Sequence, residues 1–149
     1  MQLEGAFVVK VGKTEAYRFL IDPNRFARYM PDVEEVQVED DTHFTMKAKV
    51  GVSHIKGTMT VKLELVERQE PVSAKVVGKG SGMASVVDMV TSFQLEDAEH
   101  GMTRIRWHGE ATVGGKLAAL GGGLMERLAK KNLEKFVAGL QQGIEQLSA

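Results

Sequence analysis

The sequence predicts an α+β domain in which a curved antiparallel sheet of seven strands, with two short helices after its first strand, wraps one long C-terminal helix. Three observations lead there. Apolar and polar residues alternate with a period of two through seven segments. After the short helices, those segments are joined by turns far too brief for a parallel crossover. Beyond Gly121-Gly122-Gly123 the pattern changes to one apolar stripe at helical spacing, and the sheet is the only large apolar surface on which that stripe can lie.

Residues 3–11 (LEGAFVVKV) form the first expected strand, with Leu3, Phe7, Val9 and Val11 on one face. Gly12 punctuates it, and Thr14 is the expected N-cap of a helix carrying Ala16, Tyr17, Leu20 and Ile21. Asp22-Pro23 opens a second short helix, because Asp caps and Pro at the first helical position sacrifices no hydrogen bond. It runs to Met30-Pro31, where the next proline disfavours further helix.

Past Pro31, strands are expected at 33–39, 42–50, 53–67, 72–79, 84–96 and 103–113. The turn signals between them are Asp40-Asp41, Gly51, Glu70-Pro71, Gly80-Ser81-Gly82 and Glu99-His100-Gly101. Parity gives each strand a dry face and a wet one: Phe44, Met46, Ala48 and Val50 oppose Thr45, Lys47 and Lys49. The last helix carries Leu124, Leu128, Leu133, Phe136, Val137, Leu140, Ile144 and Leu147 in its stripe. Three interior glycines would cost a helix about 2–3 kcal/mol relative to alanine. Either the regular helix starts after Gly123, or a kinked turn over 116–120 precedes it.

Composition narrows the function. At 149 residues the chain fits one domain over 1–149 with its own core, and the absence of cysteine removes disulfides, thiolate chemistry and thiolate metal sites. With 19 Lys+Arg against 20 Asp+Glu there is no basic surface to draw nucleic acid. No basic segment followed by a long apolar run opens the chain, so a cytoplasmic protein is expected, with membrane contact at most peripheral.

The side chains that face inward between sheet and helix are almost wholly aliphatic, aromatic or methionine, which speaks for an apolar container and against a catalyst. Met30, Met46, Met59, Met83, Met89 and Met125 are candidates to line the space between sheet and helix, and methionine suits either gap-filling in a solid core or a hollow for a flexible guest. The glycines at 121–123 favour a hollow at the N-terminal end of the long helix, since small residues leave room there. The expected ligand-binding set is Met30, Phe44, Met46, Ile55, Met59, Val76, Met89, Phe93, Trp107, Leu120, Leu124 and Leu128, with Phe93 and Trp107 flanking a ring or serving as plain core aromatics. The segment near Met30-Pro31 and the glycines at 78–82 and 114–115 are candidates for the lips of an entrance.

Chemical signatures fail inspection. His54 and His108 fall on polar parity, His43 and His100 in or beside turns, and none has the spacing of a metal pair. His108 with Glu110 is the best acid/base pair available, but its parity points to solvent among Arg104 and Arg106. Gly115-Lys116 is followed by Leu117 where a P-loop needs Ser or Thr, and no parallel strand-to-helix unit follows Gly78-Lys79-Gly80-Ser81-Gly82. Ser85 and Thr91 are the only weak polar candidates inside. Lys130-Lys131 with Arg127 and Lys135 reads as the solvated face of the last helix, supported by Glu126 to Lys130.

The element order resembles the helix-grip (SRPBCC) superfamily, which includes the birch-pollen allergen, START lipid-transfer domains and polyketide cyclases. The local segments LEGAFVV at 3–9, FLIDPNRFARYMPDVEEV at 19–36, VGVSHIKGTMTVKLEL at 50–65 and WHGEATVGGKLAALGGGLMERLAKKNLEKF at 107–136 are similar to the CoxG family, named for the G subunit of carbon monoxide dehydrogenase. That resemblance implies a cytoplasmic accessory protein of a molybdenum hydroxylase such as carbon monoxide dehydrogenase, which binds a lipid or quinone-like molecule and docks the enzyme at the membrane. It implies no catalytic residue and no bound cofactor. A small cyclase or hydrolase of the same superfamily, or an interaction module with a filled core, are the alternatives. The first of these needs a strongly polar side chain in the pocket.

Overall fold

A computed structural model describes residues 1–30, 32–52 and 55–148. The order is β1 (Gln2–Val9), α1 (Lys13–Leu20), α2 (Pro23–Phe26) continued by a 3-10 turn (Ala27–Tyr29), β2 (Val33–Val38), β3 (His43–Val52), β4 (Ile55–Gln69), β5 (Ser73–Gly82), β6 (Ser85–Asp97) and β7 (Thr103–Gly115). A 3-10 turn (Ala118–Leu120) then leads into α3 (Gly122–Glu145). The seven strands form one sheet in the order β1-β7-β6-β5-β4-β3-β2, with every neighbouring pair antiparallel. The expected α+β architecture is therefore present, a meander closed by β1 beside β7, with the helices on its concave side.

Helix starts and turns follow local chemistry, with three corrections, one being that Gly51 is not a turn but pairs with Lys56 inside β3. Asp22 caps α2 as expected, its Oδ1 accepting a 3.0 Å hydrogen bond from the Asn24 amide, and Pro23 takes the first helical position. The cap of α1 is Gly12, not Thr14, and makes no side-chain hydrogen bond, because the chain turns off β1 earlier than alternation suggests. Gly80-Ser81-Gly82 does not form a turn. These residues pair with β4 through Val61↔Gly80 and Thr60↔Ser81, and the true turn is Met83-Ala84, both in the left-handed region. Gly80 is in the strand because a Cβ there would lie 3.0 Å from the Met59 sulfur, so its bare face is filled by a neighbour's side chain. The 3-10 turn ends at Tyr29 with Met30 already extended, as the stop expected at Met30-Pro31 requires; Pro31, Ser53 and His54 lie outside the described residues, so the start of the 53–67 strand and the parity of His54 do too.

Two apolar clusters make the core. One joins β1, α1 and the end of α3 through Val9, Ala16, Tyr17, Phe19, Ile105, Leu140 and Ile144. Its polar atoms are bound: the Tyr17 hydroxyl donates to the Ser73 carbonyl at 2.9 Å, and the buried Thr103 hydroxyl to the Val11 carbonyl at 2.7 Å. The other fills the β3–β4 end of the sheet with Phe44, Met46, Ile55, Met59, Val61, Leu63 and Leu117. Leu117 is held there by Ser85, whose Oγ accepts from the Leu117 amide at 2.9 Å and donates to the Met83 carbonyl at 3.2 Å.

The long helix is anchored by its C-terminal half. Leu140, Gly143 and Ile144 are buried, while Leu124, Met125 and Leu128 near its start are half-exposed. Gly139 and Gly143 lie on one helix face and admit Tyr29: a Cβ on Gly139 would be 2.8 Å from the Tyr29 carbonyl oxygen, and one on Gly143 2.5 Å from its ring. A Cβ on Gly123 meets nothing within 4 Å. The two substitutions are thus expected to differ in sign. Gly123→Ala should stabilise by up to about 1 kcal/mol through helix propensity. Gly139→Ala should destabilise, since overpacking of about 1–3 kcal/mol outweighs that gain. Urea denaturation of both variants checks the pair.

Candidate functional site

Between the two clusters the interior is not filled. A cavity of about 330 Å³ lies under the middle of α3, walled on the sheet side by residues such as Met46, Val76, Met89, Phe93 and Trp107 and on the helix side by Leu133, Phe136, Val137 and Leu140. Phe26, Met30 and Val33, from the α2 segment and the start of β2, complete the wall. The space survives for a geometric reason. Tyr29 against Gly139 and Gly143 anchors the C-terminal half of α3, Leu117 is buried in the β3–β4 cluster, and the curved sheet leaves the space between them unfilled.

Among the described residues the lining is hydrocarbon, aromatic ring and thioether, apart from the hydroxyl of Thr91 and the carboxylate of Asp41, an exposed residue at the rim. The cavity therefore strips water from whatever enters and offers almost no polar compensation. Its aromatic wall is fixed by neighbours: Phe93 meets Tyr17 edge-on at 6.0 Å, and Phe26 meets Phe44 edge-on at 5.8 Å. Trp107 lies across Gly5, where a Cβ would come within 2.8 Å of the indole, so glycine at position 5 is what lets the ring close the β1 side.

A family model for the G subunit of carbon monoxide dehydrogenase (CoxG) matches residues 5–145. The chain belongs to the CoxG family. Solved structures similar to this CoxG-family chain share its fold at low identity. A conserved protein from Geobacillus kaustophilus superposes with a TM-score of 0.89 at 20% identity, covering 98% of this chain and 96% of that one. A START superfamily protein from Mycobacterium smegmatis gives 0.75 at 10% identity, with 98% of each chain covered. The Zhui aromatase/cyclase from Streptomyces sp. R1128 gives 0.72 at 14% identity, covering 100% of this chain and 96% of that one. No match was found among curated protein sequences. The CoxG fold is thus START-like, the helix-grip arrangement expected from the element order.

In this CoxG chain, the structure brings seven of the twelve expected residues to the cavity: Met30, Phe44, Met46, Val76, Met89, Phe93 and Trp107. The other five are elsewhere. Ile55 and Met59 are buried in the β3–β4 cluster, where Gly78 and Gly80 of β5 leave room for Leu63, Met89 and Met59 to interlock, and Leu120 packs on the same cluster. Leu124 and Leu128 lie half-exposed on the first turns of α3, beyond the cavity. The hollow is accordingly at mid-helix, not at the glycine end, because Gly121, Gly122 and Gly123 are exposed with open space about them. Leu133, Phe136, Val137 and Leu140 were legible as helix stripe but not as cavity wall. The missed signal was Gly139-x-x-x-Gly143, which marks where α3 is tightly docked and so where the open part begins.

The ionisable groups of this CoxG member gather outside. His108 and Glu110 are on the convex face, Glu110 accepting from Gln2 at 3.3 Å, and Glu96 bridges Arg106 at 2.9 Å and Arg104 at 3.5 Å. The Arg106 hydrogen bond holds the Glu96 carboxyl below its usual range. Among the described residues no group of three His, Asp or Glu side chains is arranged to hold a metal ion. No described helix is long and apolar enough to cross a membrane.

Among the described residues the histidine with a shifted pKa is His43, at the start of β3 beside the β2–β3 turn. The Thr42 amide, followed by the His43 ring, lowers Asp40 from 3.8 to about 2, and the hydrogen bond to Asp40 in turn raises His43 above 6.5. Asp40 supports the turn above pH 3.8 and loses its effect as pH falls through about 2. Protonated His43 contributes fully below 6.5, and its contribution disappears as pH rises through the elevated folded value. An NMR titration should show His43 titrating above the ordinary histidine range, and Asp40→Asn should return it toward its ordinary value.

Proposed function

We propose that this CoxG-family protein is a non-catalytic binder of an apolar small molecule, a lipid or quinone-like compound, held in the cavity between sheet and α3. The observation that carries the reading is an interior space of about 330 Å³, within the size range of small-molecule sites, walled by carbon and sulfur where a domain core is ordinarily solid. Each methylene that moves from water into it gains about 0.8 kcal/mol, so a short chain or ring system reaches micromolar affinity after the cost of ordering.

The family's description as part of carbon monoxide dehydrogenase supports a place beside such an enzyme, a molybdenum hydroxylase, as carrier or membrane-docking factor. We assign the protein no reaction of its own: among the described residues Thr91 has no hydrogen-bonded base or nucleophile, and the His108 and Glu110 pair is on the other face of the sheet.

The test uses the single tryptophan, which lines the cavity. Titration with a long-chain neutral probe such as 2-undecanone should change Trp107 emission saturably in the micromolar range. A linear, non-saturating response up to the probe's solubility limit contradicts the reading.

A further inference from the structure

Among the described residues that line the cavity, only Thr91 carries an uncharged hydroxyl. It is placed in the middle of β6, opposite Val76 on β5 and Gly109 on β7, at the centre of the concave face. Its oxygen has no hydrogen-bond partner among the described residues, and since no fully enclosed side-chain oxygen lacks a partner, this one is open to the cavity space. Gly109 contributes to that opening: a Cβ there would lie 3.8 Å from the Thr91 Oγ1, so any side chain would stand against the hydroxyl. Valine fits the same shape and would remove the polar atom, and an apolar wall gains nothing from an unpaired hydroxyl.

The charged groups set a second condition. Among the described residues no Lys, Arg or His lines the cavity, and the one carboxylate that does, Asp41, is at the exposed rim. A guest's carboxylate or phosphate carried inside would lose its water with no cation to replace it, and it would pass an anion on the way.

We propose that Thr91 is the polar anchor of the site, and that the guest is a neutral molecule whose apolar body carries a carbonyl or hydroxyl oxygen in hydrogen-bonding reach of that side chain. The hydroxyl donates to a carbonyl, or donates and accepts with an alcohol. This deepens the binding reading above and rests on it. Free fatty acids and phosphate headgroups are excluded from the interior; ring or chain ketones and alcohols are its class.

The experiment compares three probes of similar length, 2-undecanone, n-undecane and undecanoate at pH 8, on wild type and Thr91→Val, by Trp107 emission and by competition. For wild type we expect the ketone to bind about three- to tenfold more tightly than the alkane, the worth of one hydrogen bond in a dry site, and undecanoate to bind more weakly than either. Thr91→Val should bring the ketone down to the alkane or below it, because its carbonyl would then be buried unpaired, without weakening the alkane. An unchanged ketone preference in Thr91→Val, or undecanoate binding above the ketone, overturns the proposal and leaves apolar binding standing. If none of the three binds wild type, the binding reading falls and the proposal with it.

Discussion

Ile144→Ala is expected to lower unfolding stability by about 2–5 kcal/mol, the range for truncating a fully buried aliphatic side chain in a site that cannot collapse. Ile144 is 0% exposed at the end of α3, in the cluster that also holds Tyr17, Phe19 and Leu140. Relaxation is blocked there: the helix backbone already touches Tyr29 through Gly139 and Gly143, and Tyr29 is braced by Phe19 at 5.7 Å and by a 3.2 Å hydrogen bond to Gln146. Leu128→Ala, on the same stripe but half-exposed near the open end, should cost about 1 kcal/mol or less. Urea melts of the two variants decide whether α3 is held at its C-terminal half. Equal losses would mean that the helix is gripped along its whole length.

Val76→Phe should abolish guest binding, with affinity falling about a hundredfold, while stability stays level or rises. Val76 lies on the concave face, lines the cavity and pairs with Thr91, so a ring there occupies the space the guest needs and covers the hydroxyl. An empty cavity costs a protein about 24 cal/mol for each Å³, which is why filling it carries no stability penalty if the ring fits. Val77→Phe, one residue along and on the convex face, should leave binding unchanged. A Val76→Phe protein that binds 2-undecanone as wild type does would place the site elsewhere.

The sheet was readable because each strand faces one wet and one dry layer, so parity alone separates Met46 from Lys47 and Ile105 from Arg106. The same signal cannot tell a filled interior from a hollow one. Met59 and Met89 have the same parity on neighbouring layers of the sheet, yet Met59 lies over Gly80 in solid packing and Met89 faces open space. That difference depends on how α3 sits over the curved sheet, a relation between distant segments that no local window contains. The glycines misled for a related reason. Gly121 to Gly123 look like room for a guest but are solvent-exposed, whereas Gly139 and Gly143, unremarked in the stripe, determine where the helix is pinned. Thr91 stood out by parity, but only the bare flank at Gly109 gives its hydroxyl a role.

Methionine methyl NMR tests the central claim most directly, because the eight methionines sample both the cavity and its surroundings. At saturating 2-undecanone, the methyl signals of Met30, Met46 and Met89 should move, and those of Met1, Met102 and Met125 should stay in place. Shifts centred on Met59, Met83 and Met125, or no shift at any methyl, would contradict a guest-binding hollow beneath the middle of α3.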